Sequence, residues 1–412
     1  MPPSICFILG ELGPSGGAGA VVRHARGLAE HHGWDVSIAL WPSAPGAVTP
    51  PGVRLVTTAE ARARDYDIAI ATWWRTAYDL FAIPACRHAY FVQQFEERIY
   101  GPGDVERFGA IATHDLPVAF LTEAGWIAAE LAELRPEAHC FHVPNGIDKQ
   151  RFAPAEQSPR VGPLSVLVEG SPGLWFKGIQ AAAAVLELAR EPVVTTLVTP
   201  ERVDSETCAR FDRVMGPLDH AEMANAYREA DVLLKLSRVE GVFTPPLEAF
   251  HCGTPCVVWP VTGHDEYIRH GVNGAVVDFD DLAGTAGWID LLARDRALLA
   301  RLGDGALTTA AGWPTWERST EAFGAALEVI AAALPPAAGD GAARLLADLD
   351  FAMKGQRVAL VRQRRKTERV EAELETTERR LDGALARIAA IEGSLLWRLA
   401  APLRRLVAGR RT

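Results

Sequence analysis

Long apolar runs are absent from this 412-residue sequence: no stretch reaches the roughly 18 residues that a membrane-spanning helix requires. The start of the chain, residues 1–9, is too short and too uncharged for a secretory signal, so we expect a cytoplasmic protein. With 49% hydrophobic and 23% charged residues, the composition is that of a globular enzyme. Fibrous and disordered classes are therefore excluded.

Cysteine is scarce, and its spacing forms no metal or redox motif. The six cysteines are scattered along the chain without a C-x-x-C pair. Cys252 and Cys256 flank a Gly-Thr-Pro turn, but no second His or Cys pair completes a zinc set. Reduced, buried thiols fit this pattern better than metal ligands or disulfides. We expect no metal and no cofactor.

An excess of positive charge is also absent from most of the chain. The net charge is −10, made up of +6 from residue 336 onward and −16 before it. So acidic a body argues against nucleic acid as a partner. The basic tail instead favours an anionic surface such as lipid.

Short apolar runs of strand length recur along the chain, mostly separated by helix-length segments. This alternation predicts an α/β fold with doubly wound parallel sheets, and the length suits two such domains plus an appendage. Ligands bind beyond the carboxyl ends of such strands. The predicted strands are 5–9, 36–40, 53–56, 68–71, 89–92, 118–121 and 141–143, followed by 164–168, 193–198, 232–236, 256–261 and 275–278.

A glycine-rich loop, residues 10–19, joins the first strand to a helix predicted at 20–31. Its spacing is not the G-x-G-x-x-G of a dinucleotide site. The second strand ends at Trp41-Pro42, with no acidic residue to hold a ribose. An NAD site is therefore disfavoured.

The most informative stretch runs from Ser237 to Cys256, where an apolar run ends in a turn rich in Gly and Pro. A short helix is predicted over 247–252. Glu240 and Glu248 are separated by seven residues, and Gly241 lets the backbone approach a ligand. Carboxylates accept hydroxyl protons, and N–H groups at a helix start favour anions, so one turn could hold a polyol and a phosphate. Taken alone, the pair is also consistent with a loop cap and a solvated helix residue.

The segment from Glu240 to Glu248, Glu-Gly-Val-Phe-Thr-Pro-Pro-Leu-Glu, resembles the E-x7-E signature of glycosyltransferase family 4. The segment 143–148, Val-Pro-Asn-Gly-Ile-Asp, resembles the family's exit from its first domain. The resemblance covers about residues 5 to 333 and implies a GT-B fold, in which two Rossmann-like domains face a cleft. We place an acceptor domain at 1–155 and a donor domain at 156–334, joined by a helix that crosses back near 317–333.

The resemblance implies the donor-site roles. Glu248 would hold the ribose hydroxyls of a UDP-, GDP- or dTDP-sugar, Glu240 would lie beside the transferred sugar, and Lys177 would neutralise the leaving diphosphate. Ser171 stands where the family has a second cation, an arginine, so Arg238 or backbone N–H groups would have to substitute. The remaining implied donor residues are Gly241, Val242, Phe243 and Thr244 of a backbone phosphate cradle, Leu218 of a base-binding turn, and Gly16 and Gly17, which can also be a tight strand-to-helix turn.

Two post-strand segments, 72–78 and 93–103, combine aromatic and hydrogen-bonding side chains that suit a sugar. The second resembles the F-V/I-Q-D-x-E ending of the polysaccharide-building, rhamnosyltransferase-like branch of the family. Gln94 replaces the Asp of that pattern. The acceptor-site candidates, which otherwise are ordinary loop residues, are Gln93, Gln94, Glu96, Arg98, Trp73 and Trp74.

The last part of the chain follows a different pattern. A seven-residue repeat between 342 and 393 predicts a coiled coil and a homo-oligomer, or else one helix lying on the enzyme. Residues 394–412 pair Trp397 and several leucines with arginines, which suits a membrane interface or packing on the protein's own surface. If the tail lies in a membrane interface, we expect the protein at the inner face of the cell membrane.

The resemblance therefore implies a retaining hexosyl- or deoxyhexosyltransferase that acts on a glycan or lipid-linked glycan, in cell-surface polysaccharide or O-antigen biosynthesis. Two rival hypotheses remain open. One is an inactive GT-B scaffold that recruits partners through its coil, prompted by Ser171 and Gln94. The other is a nucleotide-sugar epimerase that shares the two-domain fold.

Overall fold

The computed structural model describes residues 2–12, 16–40, 49–155, 162–333 and scattered positions between 346 and 383. The chain divides into two compact units, Met1–Leu349 and Asp350–Thr412. The first unit contains two parallel sheets flanked by helices, which confirms the doubly wound fold class. The domain boundary expected at 155 and 156 borders the segment 156–161, which lies outside the described residues, and it stays a prediction.

The first sheet has the strand order β3-β2-β1-β4-β5-β6-β7. Its central strands are buried on both faces, which is why they read as continuous apolar runs. Its strands are β1 (Ser4–Leu9), β2 (Asp35–Leu40), β3 (Arg54–Thr57), β4 (Tyr66–Ala71), β5 (Ala85–Val92), β6 (Ala119–Thr122) and β7 (Cys140–His142). The helices of this half are α1 (Gly16–His32), α2 (Thr58–Arg62), α3 (Trp74–Ala77), α4 (Val105–Thr113) and α5 (Gly125–Leu134).

The second sheet repeats the same winding in the order β10-β9-β8-β11-β12-β13. Its strands are β8 (Leu164–Glu169), β9 (Val193–Val198), β10 (Arg213–Met215), β11 (Val232–Lys235), β12 (Cys256–Val258) and β13 (Gly274–Val276). Its helices are α6 (Ile179–Leu188), α7 (Ser205–Ala209), α8 (His220–Glu229), α9 (Thr244–His251), α10 (Leu282–Arg294), α11 (Arg296–Gly312) and α12 (Trp316–Ala332).

The strand order reverses between β1 and β4 in the first sheet and between β8 and β11 in the second. At such a reversal the connections leave on opposite faces, and a crevice opens beyond the carboxyl ends of the two strands. Each sheet therefore has one place where a ligand site is expected from topology alone.

Helix α12 crosses back to the first sheet, as the family resemblance implies. Its Phe323 and Leu327 lie in the core that β1, β2 and α1 share. The His24 ring of α1 stacks on Phe323 with ring centroids 4.3 Å apart. At Gly27 a β-carbon would come within 2.8 Å of Thr320 Cγ2, so glycine lets α1 and α12 approach closely.

The appendage is only partly described. The described residues from 346 to 383 have helical backbone conformation, and Val370, Leu374 and Leu381, which belong to the predicted seven-residue repeat, are exposed. The part of the repeat beyond 383 and the tail 394–412 lie outside the described residues, so coil and tail stay predictions. No described helix is both long and apolar enough to span a bilayer.

Candidate active site

The loop between β11 and α9, residues 236–243, is called the donor turn below. Helix α9 begins at Thr244 rather than at 247 as predicted, because proline in a first helical turn sacrifices no hydrogen bond. The Thr244 N–H bonds to the Val242 carbonyl oxygen at 2.9 Å. The Thr244 N–H is thus already paired within the turn. The phosphate cradle of Gly241, Val242, Phe243 and Thr244 stays a prediction.

The structure brings Lys177 and Glu240 together at the mouth of the donor turn. Lys177 Nζ lies 3.0 and 2.9 Å from the two carboxylate oxygens of Glu240. Burial lowers the pKa of Lys177, but the charges of Glu240 and Glu169 outweigh it and hold the pKa above its usual value. A β-carbon on Gly178 would lie 2.0 Å from the Leu236 carbonyl oxygen, so glycine allows the two turns to meet. Lys177 is therefore a fixed cation.

Glu248 lies on α9, facing the same crevice. The Tyr227 hydroxyl donates to Glu248 Oε2 at 3.3 Å. Burial, reinforced by the charge of Glu169, raises the pKa of Glu248 to about 8, while Arg23 of α1 opposes the rise. Glu248 is thus a half-buried carboxyl that faces a cation from the first half of the chain.

Sequence reasoning missed a second buried ion pair at the topological reversal of this sheet. Lys235 ends β11, Glu169 ends β8, and Lys235 Nζ lies 2.6 Å from Glu169 Oε2. A usable signal was present, because a lysine inside the apolar run 232–236 of a buried parallel strand requires a partner.

Ser171, which stands in place of the expected arginine, and Arg238, one expected substitute for it, each bind an acidic side chain. The Ser171 hydroxyl donates to the Glu201 carboxylate. The Arg238 guanidinium pairs with Asp280 and lies over the Trp259 ring, 4.8 Å from its centroid. Arg238 is therefore paired on the second sheet's own surface, and its replacement of the missing arginine stays a prediction.

The start of α5, in the first half of the chain, binds the donor turn through Trp126, and this contact is called the clasp below. Trp126 Nε1 donates to the Gly241 carbonyl oxygen at 2.9 Å, and its backbone N–H donates to Glu266 Oε1 at 2.8 Å. A β-carbon on Gly241 would lie 1.9 Å from the Gln93 carbonyl oxygen, so only glycine permits this approach. Val242 packs into the core of the first sheet. The donor turn is thus held by contacts from both halves.

A cavity of about 540 Å³ opens at the reversal point of the first sheet. It brings together Gly17, Trp73, Gln93, Gln94 and Glu96 among the predicted residues. The Gln93 amide donates to the Thr72 carbonyl oxygen at 3.0 Å, which fixes its orientation. Burial raises the pKa of Glu96 to about 8. Glu11 also lines the cavity, and the rest of the wall is uncharged at neutral pH.

The structure does not bring Trp74 and Arg98 into this cavity wall. Trp74 is 2% exposed, and its Nε1 donates to the Tyr100 hydroxyl at 3.2 Å. Arg98 pairs with Glu130 and lies over the Trp126 ring, 4.7 Å from its centroid. Trp74 is therefore buried, Arg98 packs on Trp126, and their acceptor roles stay predictions.

Two further predicted residues occupy peripheral places. Gly16 is the first residue of α1, and a β-carbon there would meet nothing within 4 Å. Leu218 packs beside Met215 and Met223 against the core under α8 and α9. Among the described residues no group of three or more His, Cys, Asp or Glu could hold a metal.

Comparison with known proteins finds a family match within the second half. Residues 213–308 match the family model described as "Glycosyl transferases group 1". The chain is 41% identical over 101 residues to a D-inositol 3-phosphate glycosyltransferase 1 of Catenulispora acidiphila, covering 24% of either chain. It is 31% identical over 225 residues to the D-inositol 3-phosphate glycosyltransferase of Geodermatophilus obscurus, covering 46% of this chain and 48% of the relative. The chain thus spans less than half the length of these curated relatives.

Solved structures resemble a larger part of the chain. A sucrose-phosphate synthase from Thermosynechococcus elongatus superposes with a TM-score of 0.68 at 17% identity, covering 80% of this chain and all of the other. Anabaena HepE in complex with UDP-glucose gives a TM-score of 0.64 at 14% identity, with 79% and 100% covered. At such identities the likeness establishes the GT-B fold, and the family match confirms the glycosyltransferase resemblance.

Proposed function

We propose that this chain, a GT-B protein that carries the group 1 glycosyl transferase match, moves a sugar from a nucleotide-sugar donor to a glycan acceptor. The observation that supports it most is the convergence of Glu240 and Glu248, both inside the matched range, with Lys177 at the crevice of the second sheet. Topology alone expects a ligand there.

Each donor-side group has a chemical task in this proposal. Glu248 accepts hydrogen bonds from the ribose hydroxyls, and Glu240 lies beside the transferred sugar. The Lys177 ammonium stabilises the charge that develops on the departing diphosphate, and it does so without a metal ion. Helix N-termini add partial positive charge at the same edge.

Retention of configuration is the stereochemical part of the proposal. A double displacement would need a free carboxylate next to the anomeric carbon. Glu240 is a poor candidate because both its oxygens are bound by Lys177 Nζ at 3.0 and 2.9 Å. Departure of the diphosphate and attack by the acceptor on the same face fit better.

The acceptor binds in the cavity of the first sheet in this proposal. Trp73 offers an apolar face to a sugar ring, and the amides of Gln93 and Gln94 offer hydrogen bonds to hydroxyls. Glu96 stays protonated near neutral pH, because burial raises its pKa to about 8, and so contributes a neutral group.

The cellular setting is the most specific part of the proposal. A glycan or lipid-linked glycan of cell-surface polysaccharide or O-antigen fits an acceptor site built from an indole and amides, with the enzyme at the inner face of the cell membrane. Deletion of 394–412 should shift the protein from membrane to soluble fractions. Unchanged fractionation would instead favour a tail that packs on the protein, and sedimentation would report whether the coil makes a homo-oligomer.

Two measurements test the activity. Thermal melting with UDP-, GDP- and dTDP-sugars should identify a donor, because a ligand that binds only the folded state raises the melting temperature. Radiolabelled donor should then transfer its sugar to a glycan. Label that appears only as a free isomer would indicate an epimerase.

An inactive scaffold is a second candidate, favoured by one observation. Ser171 stands where a cation is expected, and its hydroxyl is bonded to the acidic Glu201. Binding of a donor with neither transfer nor hydrolysis would favour this scaffold. Transfer or hydrolysis of the donor by the wild-type chain would exclude it.

A further inference from the structure

The crevice of the second sheet contains a chain of alternating charges. Lys235 Nζ donates to the Glu169 carbonyl oxygen at 2.7 Å and to its carboxylate at 2.6 Å. Glu169 also lies close enough to Lys177 to feel its charge, and Lys177 is bound to Glu240. Lys235 is 1% exposed, whereas the Glu169 side chain is 24% exposed. The carboxylate therefore faces the crevice, and the ammonium lies behind it.

This chain of charges lies at the topological reversal of the sheet. Lys235 and Glu169 follow directly after Leu234 and Val168, the last register partners of β11 and β8. A β-carbon on Gly170 would come within 3.3 Å of both Lys235 Nζ and Lys177 Cβ. Two lysines therefore converge on one glycine. The next residue is Ser171, where an arginine was expected.

An ionised Glu169 weakens the binding of a nearby diphosphate unless its charge is cancelled. Burial raises its pKa, but the charges of Lys235 and Lys177 outweigh this and hold the pKa below its usual value, so Glu169 is ionised at neutral pH. An uncancelled carboxylate repels a nearby diphosphate. Lys177 cannot cancel it alone, because Lys177 already binds both oxygens of Glu240.

We propose that Lys235 is a positioning residue for the diphosphate of the donor: it cancels the charge of Glu169 and so leaves Lys177 to act on the leaving group. The proposal rests on the proposed function, since it concerns the same crevice. Lys235 acts through Glu169 and touches no substrate itself.

The test uses isothermal titration calorimetry to compare the binding of UDP with that of uridine. If the wild type binds another base, the diphosphate and the nucleoside of that base are used instead. Removing one charge near a diphosphate changes its Kd by roughly ten- to hundredfold but leaves an uncharged nucleoside nearly unaffected. Lys235→Met should therefore lower the affinity for the diphosphate by at least about tenfold and the affinity for the nucleoside by less than about twofold. Lys149→Met is the matched control, since Lys149 Nζ bonds only carbonyl oxygens of Ala310 and Ala311 in the described residues.

The double variant Lys235→Met/Glu169→Gln makes the proposal sharper. With the carboxylate also neutral, diphosphate affinity should return to within about threefold of wild type, because charge cancellation is the role assigned to Lys235. This variant also avoids the unpaired buried charge that could prevent Lys235→Met from folding. A folded double variant that binds diphosphate at least tenfold more weakly than wild type would overturn the inference. Equal loss of diphosphate and nucleoside in Lys235→Met would overturn it too, whereas a wild type that binds no nucleotide would contradict the proposed function itself.

Discussion

The carboxyl edges of the two sheets are built from different chemistry. The edge of the second sheet carries paired charges, Lys177 with Glu240 and Lys235 with Glu169. The edge of the first sheet presents the amides of Gln93 and Gln94 and the indole of Trp73 around a cavity. Fixed charges suit a leaving diphosphate, and neutral hydrogen-bonding groups suit a sugar. From this contrast we propose that the donor binds at the second sheet and the acceptor at the first.

The largest effect is expected from the cation that faces the leaving group. Lys177→Met should lower kcat by about 100- to 1000-fold, because a fixed charge that stabilises the departing diphosphate is lost. Donor KM should change much less. Initial rates with labelled donor provide the measurement, and Lys149→Met is the matched control. Wild-type turnover in Lys177→Met would remove Lys177 from the mechanism.

A smaller effect is expected at the other end of the donor. Glu248→Ala should weaken nucleotide-sugar binding by about 10- to 100-fold, because it removes an acceptor for two hydroxyl donors. Calorimetric titration measures the change. Glu187→Ala is the control, since Glu187 pairs with Arg210 on an exposed face. Unchanged affinity in Glu248→Ala would contradict the assignment of Glu248 as the residue that binds the ribose.

The clasp between the two halves should have a weaker influence. Trp126→Phe keeps the ring packing but removes the hydrogen bond from Nε1 to the Gly241 carbonyl oxygen, which is 2.9 Å long. Loss of one such bond costs about 1 kcal/mol, so donor affinity should fall about fivefold. Full wild-type affinity and rate would mean that the donor turn is held without this bond.

The smallest effect is on the pH dependence of stability. Burial raises the pKa of Glu123 to about 8, well above the value of an unfolded chain. A carboxyl whose folded pKa is raised stabilises while it is protonated, and that stability is lost as pH rises from about 4.5 through about 8. Glu123→Gln stays neutral and keeps an oxygen for the Asn145 amide. Its melting temperature should therefore fall less than that of wild type between about pH 6 and about pH 9. Parallel melting profiles would show that Glu123 does not titrate in this range.

The sequence predicted the fold well, for identifiable reasons. Buried parallel strands such as β1 and β8 are continuous apolar runs, and the spacing of Glu240 and Glu248 is local. The short edge strand β10, with three residues, left too little pattern to predict. The start of α9 was placed late, because the prolines were read as part of the turn rather than of the first helical turn.

The contacts that the sequence missed are those between distant segments. Trp126 and Gly241 are 115 positions apart, and no sequence pattern near either residue predicts their hydrogen bond. Trp74 was assigned to the acceptor because aromatic residues outside a core need a reason, yet it lies inside one, 2% exposed. Only Lys235 left a local sign, a charge within an apolar strand.

Parallel titrations of the nucleoside diphosphate donor product into Glu248→Ala and Trp73→Ala test the division between the two edges most directly. The account predicts that Glu248→Ala loses about tenfold or more in affinity, whereas Trp73→Ala binds within about twofold of wild type. The reverse pattern, with Trp73→Ala impaired and Glu248→Ala unchanged, would place the donor on the first sheet and contradict the account.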